Sequence, residues 1–330
     1  KFNYVKRYKY SGSISSRINQ SLIGKDVVEL FENYTRQFNL IWNHSQKVDP
    51  SQNLSINGHY VSNSDFYQSE WNDKTNQLTQ KIESRLNYSK RWSEWKNSLT
   101  INISDEYDLL AKVRKIENEY SNNDFLVERM QSLPSMSFSH SKSKLNWGGY
   151  KIPLLDDIYW DYSSNLTNNI RKGWKLISGP EDTLKWDTHD ENRSGIRHNF
   201  SLSSSNKLFG WLSISPRISF KENWVNRYTQ INENNNYQQE DVEAFKRRLI
   251  WNTSLSMTTK VYGLFPISIG KLDALRHVLT PSLSFSWSPD FTDDNSPYIQ
   301  TYYDTLMTKH THDYFKGTSA GATPSFESKS

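Results

Sequence analysis

The sequence has no cysteine in 330 residues, which removes both a disulfide framework and a thiolate metal site and leaves the redox compartment undetermined. It also lacks any run of about 18 consecutive apolar residues. That excludes a membrane-spanning helix and leaves a spanning β-barrel open. A signal segment is missing too, because Lys1-Phe2-Asn3-Tyr4-Val5-Lys6-Arg7 leads into an alternating stretch and not into an apolar core. The chain therefore reads as an internal piece of a longer, exported protein. There is no glycine-rich phosphate loop, GxSxG elbow, HExxH pair or EF-hand spacing, so the reading is non-enzymatic, with no cofactor and no nucleic acid as partner. The formal charge of +4 is mild and fits either loop and lumen composition or an anionic partner.

What is present pulls in two directions. Only 35% of the residues are apolar and the mean hydropathy is -0.81, which suits a water-soluble chain. Yet 14% are aromatic, with 12 Trp and 19 Tyr, and disordered polar chains are poor in aromatics. A membrane barrel reconciles the two through a polar lumen, polar loops, a narrow apolar band and aromatic girdles. A soluble β-sandwich or a sugar-binding repeat has a similar composition, so composition leaves both open.

Periodicity is more specific. Leu279, Pro281, Leu283, Phe285, Trp287 and Pro289 share one parity, and Thr280, Ser282, Ser284, Ser286 and Ser288 the other. Successive strand residues point to opposite faces, so this run makes one apolar and one hydroxyl-rich face over the roughly 9 to 11 residues a tilted strand needs to cross a bilayer. Leu249, Trp251, Leu255, Met257 and Val261 do the same against Asn252, Ser254, Ser256, Thr258 and Lys260, which predicts two neighbouring strands.

Earlier segments repeat the pattern. Tyr8 to Ser16 reads as a first strand, and Phe38, Leu40 and Trp42 turn at Val48-Asp49-Pro50-Ser51 into Leu54 to Tyr60. Ile82 to Trp92 turns at Ser93 to Lys96 into Leu99 to Ile103; Pro134 to Phe138 and Ile158 to Leu166 follow. Ile196 to Leu202 turns near Ser204 into Leu208 to Phe220. The segments Ser62 to Lys74, Lys115 to Asp124, Asn168 to Ser194 and Glu233 to Asp241 read as long polar connections. Short and long connections alternate, as the periplasmic turns and outer loops of an outer-membrane barrel do. The predicted fold is all-β, an antiparallel transmembrane outer-membrane β-barrel. Residues 1–330 form part of one barrel domain of roughly eleven strands, with closing strands absent.

Few side chains suggest chemistry. His310 and His312 can share a strand face, but with one nearby Asp they read as a polar loop and not as a metal site. Asp156-Asp157, Asp190-Glu191 and Asp293-Asp294 fall in predicted connections and read as solvated turns. Arg91 with Trp92, and Arg247 and Arg248 with Trp251, read as interfacial anchors or contacts to phosphorylated lipid headgroups. Pro134, Pro216 and Pro281 lack a ladder donor and mark local bends or a weakened seam.

In order along the chain stand Trp42-Asn43-His44, Tyr60 to Asp65, Leu133-Pro134-Ser135-Met136-Ser137-Phe138 and Phe209 to Pro216. The densest match is Thr259-Lys260-Val261-Tyr262-Gly263 with Arg276-His277-Val278-Leu279-Thr280-Pro281-Ser282. Through these motifs the sequence resembles the LptD family of lipopolysaccharide-assembly outer-membrane proteins, also called the organic solvent tolerance family. The resemblance implies a large barrel in the outer membrane of a Gram-negative-type cell, with the family's N-terminal periplasmic domain absent from residues 1–330. That barrel receives lipopolysaccharide from a periplasmic bridge, holds an LptE-like lipoprotein plug and inserts the lipid into the outer leaflet. The family positions it marks are Tyr262, Gly263, Arg276, His277, Pro281, Pro216 and Pro134. Another outer-membrane barrel, a porin or nutrient transporter, shares the strand pattern without the ordered motifs, and a secreted glycan-binding β-protein remains the reading from a different class.

Overall fold

The computed structural model describes residues 1–22, 34–62, 81–112, 115, 125–145, 157–178, 184–232, 237–269, 272–293, 295–304, 306–324 and 328–329. Its strands are β1 (Phe2–Lys6), β2 (Tyr10–Leu22), β3 (Tyr34–Asp49), β4 (Gln52–Val61), β5 (Lys81–Trp92), β6 (Asn97–Asp108) and β7 (Phe125–Lys144). They continue as β8 (Ile158–Ser178), β9 (Leu184–Ser204), β10 (Asn206–Leu208), β11 (Leu212–Val225), β12 (Tyr228–Asn232), β13 (Gln238–Val242) and β14 (Lys246–Thr258). The last are β15 (Val261–Ile269), β16 (Leu272–Leu279), β17 (Ser282–Ser288), β18 (Ile299–Tyr303), β19 (Lys309–Asp313) and β20 (Ser328–Lys329).

The chain is all-β and antiparallel. Among the described residues fourteen strands form one sheet in the order β1 to β9, β11, β14, β17, β20, with β10 beside β11. Three separate hairpins, β12–β13, β15–β16 and β18–β19, complete it. Sequential strands are neighbours almost throughout, which is the meander that short turns enforce. No helix among the described residues is long and apolar enough to cross a membrane.

Two compact units are distinguished, Lys1–Ser93, Ser98–Ser137 and Leu166–Ser194 in the first, Glu94–Asn97, Phe138–Asn165 and Gly195–Ser330 in the second. In the first unit β3 and β4 form the hairpin that the alternation predicts, with Leu40 opposite Tyr60 and His44 opposite Ile56. Its turn is closed by the Asp49 carboxylate, which accepts from the Ser51 amide at 2.7 Å and the Ser51 hydroxyl at 2.6 Å. Tyr4, Trp42 and His44 meet across β1 to β3: the Trp42 indole donates to the Tyr4 hydroxyl at 2.9 Å, and that hydroxyl lies 2.9 Å from His44 Nδ1. The buried core of this unit is small, built on Ile82 and Leu109 with Val61 and Tyr107 against them.

In the second unit β9, β11, β14 and β17 carry the clearest two-sided pattern. Phe220 faces Trp251 and Phe200, and Leu255 faces Phe285 and Pro216, all on one side. The other side pairs Ser219 with Asn252 and Ser201, and Ser254 with Ser286 and Arg217. Trp251 and Trp287 meet edge to face at 5.1 Å. Apolar side chains are not gathered inside: Leu283 is 68% and Phe285 51% exposed.

Several expectations are corrected. Tyr8 is not in a strand but at the turn between β1 and β2, with φ of 66°. Residues 168–178 and 184–194, predicted as connection, extend β8 and β9 to 21 residues each. Ile170, Trp174 and Leu176 share one parity in β8, but Lys172 interrupts them and Asp187 to Arg193 in β9 include no apolar residue, so cross-strand pairs such as Arg171 with Glu191 at 3.8 Å replace much of the apolar alternation. Asp190 and Glu191 therefore lie in β9. Gln238 to Asp241 are not loop but β13, while 233–236 lie outside the described residues. Phe209 and Gly210, expected in a strand, form a turn at φ of 53° and 78°. Asn63 to Lys74, residues 116–124, Asp156 and Asp294 likewise lie outside the described residues.

Candidate functional site

The polar side of β9, β11 and β14 in the second unit is a built surface. Ser201 donates its hydroxyl to Asp161 at 2.6 Å, and the Arg217 guanidinium donates to Ser201 Oγ at 2.9 Å while standing 3.7 Å from the Asp161 carboxylate. Asn199 donates to Ser163 Oγ at 3.1 Å. Asp161, Asn199, Ser201 and Arg217, with Lys221, Asn252 and Ser288, border a cavity of about 450 Å³ that Phe220, Ile250 and Trp251 also line. The chemistry on offer is hydroxyl, amide and cation: donors for phosphate and partners for sugar hydroxyls. Among the described residues no group of three or more His, Cys, Asp or Glu side chains is placed to hold a metal.

At the long-loop end a cap of two hairpins sits in the same unit. The Gln300 side chain joins them, accepting from the Ile231 amide and donating to its carbonyl, both at 2.8 Å. Tyr228 and Tyr314 meet edge to face at 5.6 Å, with the Lys246 ammonium 3.0 Å from the centre of the Tyr314 ring. His312 is buried with Nε2 3.0 Å from the Thr229 hydroxyl, and burial pushes its pKa below the usual histidine value. His310 bonds instead to Asp304 at 3.0 Å, so the two histidines serve different partners.

The opposite end is a projection. Thr258 faces Ser282 and Val261 faces Leu279 in one unbroken register, so β15 and β16 prolong β14 and β17 beyond the rest of the sheet. At the junction Pro281 accepts from the Thr259 amide at 3.2 Å but has no amide hydrogen to return. Past it both faces are apolar and exposed, with Val261, Phe265, Leu275 and Leu279 on one side and Tyr262, Leu264 and Val278 on the other.

A family model described as LptD protein matches residues 1–330, the whole chain. The chain belongs to the LptD family. That family consists of outer-membrane proteins of lipopolysaccharide transport, and an all-β antiparallel chain is what a segment of an LptD barrel requires. No curated protein matches the sequence.

The LptD family positions fall in different places. Tyr262, Gly263, Arg276 and His277 come together in the projecting hairpin: Gly263 faces His277, and the Arg276 guanidinium lies 4.8 Å from the Tyr262 ring centre. Pro134 is inside β7, and Pro216 inside β11 opposite Leu255. Pro216 falls between the ladder of β11 with β9, which ends at Arg217, and that with β10, which begins at Ile214, so its missing donor interrupts nothing. Pro281 stands between β16 and β17 and not within a strand.

Of the expected anchors, Arg91 is exposed beside Trp92, over which the Lys90 ammonium stands at 5.0 Å. Arg247 is exposed and 3.6 Å from Glu222. Arg248 is different: it is 1% exposed and bonded to the strap that follows β19, so it anchors protein and not headgroups. The signal was in its parity, which it shares with Asn252, Ser254 and Ser256 on the polar side.

Proposed function

We propose that this chain is a wall segment of an outer-membrane barrel that inserts lipopolysaccharide into the outer leaflet, acting as a translocon and not as an enzyme. The observation that carries the reading is the sidedness of β9, β11, β14 and β17. Leu255, Phe285 and Trp287 are presented outward on one face, while Ser254, Ser286, Asn252 and Arg217 occupy the other. A face of exposed leucine and phenylalanine is stable only against an apolar solvent, each side chain contributing about 1.5–3 kcal/mol when removed from water. The bilayer is that solvent, and the polar face then lines the lumen. Arg217 and Lys221 on that face suit the phosphates and sugars of the lipid, whose acyl chains stay outside. An LptE-like lipoprotein fills the lumen, and a periplasmic bridge delivers the lipid. Tyr262, Gly263, Arg276, His277 and the exposed Arg91 and Arg247 lie where contacts to that traffic or to headgroups are expected.

The test is affinity capture of the full-length protein from outer membranes, scoring co-purified lipoprotein and lipopolysaccharide together. Recovery of both is the expected result. A detergent-solubilised barrel carrying neither points instead to a porin or nutrient transporter.

A further inference from the structure

The polar face of the second unit is covered at its long-loop end by the segment that follows β19. Residues Thr318-Ser319-Ala320-Gly321-Ala322-Thr323 carry no side chain larger than threonine. Gly317 and Gly321 hold φ of 80° and 71°, a conformation that glycine adopts freely. What keeps this strap down is polar. Arg197 Nη2 donates to the Ser319 carbonyl at 3.1 Å, and Arg248 Nη2 to the Ala320 carbonyl at 3.1 Å. Arg248 Nη1 donates to the Gly321 carbonyl at 2.9 Å and to the Thr323 hydroxyl at 2.8 Å. Thr323 is fixed in turn by Asp313, through its amide at 2.5 Å and its hydroxyl at 2.9 Å.

Arg248 is the centre of this arrangement. Its guanidinium lies 4.6 Å from the centre of the buried Phe315 ring, and only Nε has no partner. A cation of the wall is thus withdrawn from water by three acceptors on a segment that brings no bulky apolar side chain between 318 and 323. Such a contact is a latch: once the guanidinium is gone, only Arg197 on the Ser319 carbonyl and Asp313 on the buried Thr323 still hold the strap, and no bulky side chain packs it down. The next residues on the same face are Asn199, Lys221 and Ile250, followed by Asn252, all at the cavity of about 450 Å³.

We propose that residues 317–323 form a movable strap, latched by Arg248 and Arg197, which closes the long-loop mouth of the polar wall and lifts to open it. The inference rests on the reading of that wall as the lining of a lumen. It differs from the fixed, apolar packing of a core because its closure is reversible by removing hydrogen bonds alone.

The absence of cysteine from these 330 residues makes the test direct. In the full-length protein in whole cells, Asn252→Cys reports access to the wall by its labelling rate with a membrane-impermeant maleimide, corrected for the protein without the reporter. Arg248→Ala is expected to raise that rate at least about tenfold, and Thr323→Val, which removes only the hydroxyl on the strap side, by a smaller factor. A Cβ at Gly195 would lie 3.5 Å from Ser319 Cβ and 2.9 Å from the Trp224 carbonyl, so Gly195→Cys with Ser319→Cys suits a disulfide after a slight shift. With Arg248→Ala, oxidising this pair is expected to restore slow labelling and reducing it to restore fast labelling.

Equal rates with and without the latch, or indifference to the crosslink, overturn the proposal. Should Arg248→Ala not reach the membrane, the crosslink alone decides, since equal labelling of its oxidised and reduced forms overturns the strap. Leu255→Cys separates the two readings. If it labels as fast as Asn252→Cys, the membrane assignment fails; if it stays protected while Asn252→Cys ignores the latch, only the strap fails.

Discussion

The two ends of the hairpin made by β14 and β17 obey different rules. At the long-loop end, Arg248 is shut away beneath backbone carbonyls and Phe315 is fully buried, so both terminal nitrogens of that guanidinium find their acceptors within the protein. At the other end, past Pro281, Leu264 is 70% and Leu279 57% exposed on opposite faces, with nothing of the described residues over them. Between these ends the strands are apolar on one side only. A single pair of strands thus passes through three surroundings, and each is written in which parities are apolar. Sidedness is a property of the environment a strand segment meets, not of the strand.

The comparison breaks first in the middle. Leu255→Arg is expected to destabilise the full-length protein in lipid vesicles by about 2–4 kcal/mol, against about 0.5 kcal/mol or less for Ser254→Arg next to it. Urea unfolding of both variants checks this, and similar losses would deny the sidedness.

The covered end responds to acid. His312 is buried in the neutral form, and its folded pKa lies below the unfolded value near 6.5. The unfolded chain therefore binds its proton more readily, so the stabilisation is complete above about pH 6.5 and is lost as pH falls toward the folded value. Hydrogen exchange at the Thr229 and His312 amides is expected to speed up at pH 5 relative to pH 7.5, beyond the intrinsic pH effect, and His312→Asn is expected to remove the difference. Amides of β15 and β16 serve as the control and should show no such change.

The bare end should be indifferent to side. Leu264→Arg and Leu279→Arg are each expected to change stability by about 1 kcal/mol or less, and by equal amounts, because both side chains are exposed, one on each face of the projecting hairpin. A loss confined to Leu279→Arg would extend the one-sided rule past the junction. Pro281→Ala is the mildest change. It returns an amide to the ladder, a gain of about 0.5–1.5 kcal/mol, and loses about 0.4–1 kcal/mol of stiffness in the unfolded chain. The net effect on stability is near zero, while the amide at position 281 should become protected from exchange.

Alternation made the one-sided strands legible: β3 with β4, β5 with β6, and β14 with β17 follow from parity and from turns such as Asp49-Pro50. It could not reveal strands whose two faces meet the same surroundings. The upper halves of β8 and β9, where charged residues such as Lys172 and Asp190 break the apolar parity, and the hairpin of β12 and β13 look like loop for that reason. The candidate site was half legible. Ser254, Asn252 and Arg217 belong to the hydroxyl-rich parity, but the link from Arg248 to Thr323 joins residues 75 positions apart through a segment with no periodicity. Parity alone would have turned Arg248 away from the headgroups.

Strands of 21 residues are longer than a membrane needs. At about 3.3 Å per residue and a 40° tilt they rise roughly 53 Å, against an apolar band of about 25 Å. In the proposed barrel about half of that height would stand clear of the hydrocarbon, at the level of the surface saccharides. There Arg171 with Glu191, and Lys172 with Asp190 at 3.7 Å, set alternating charges along the wall. Divalent ions that tie neighbouring anionic sugars together would meet at that height a parapet already carrying both signs of charge, able to take part in the mesh on either side of the ion.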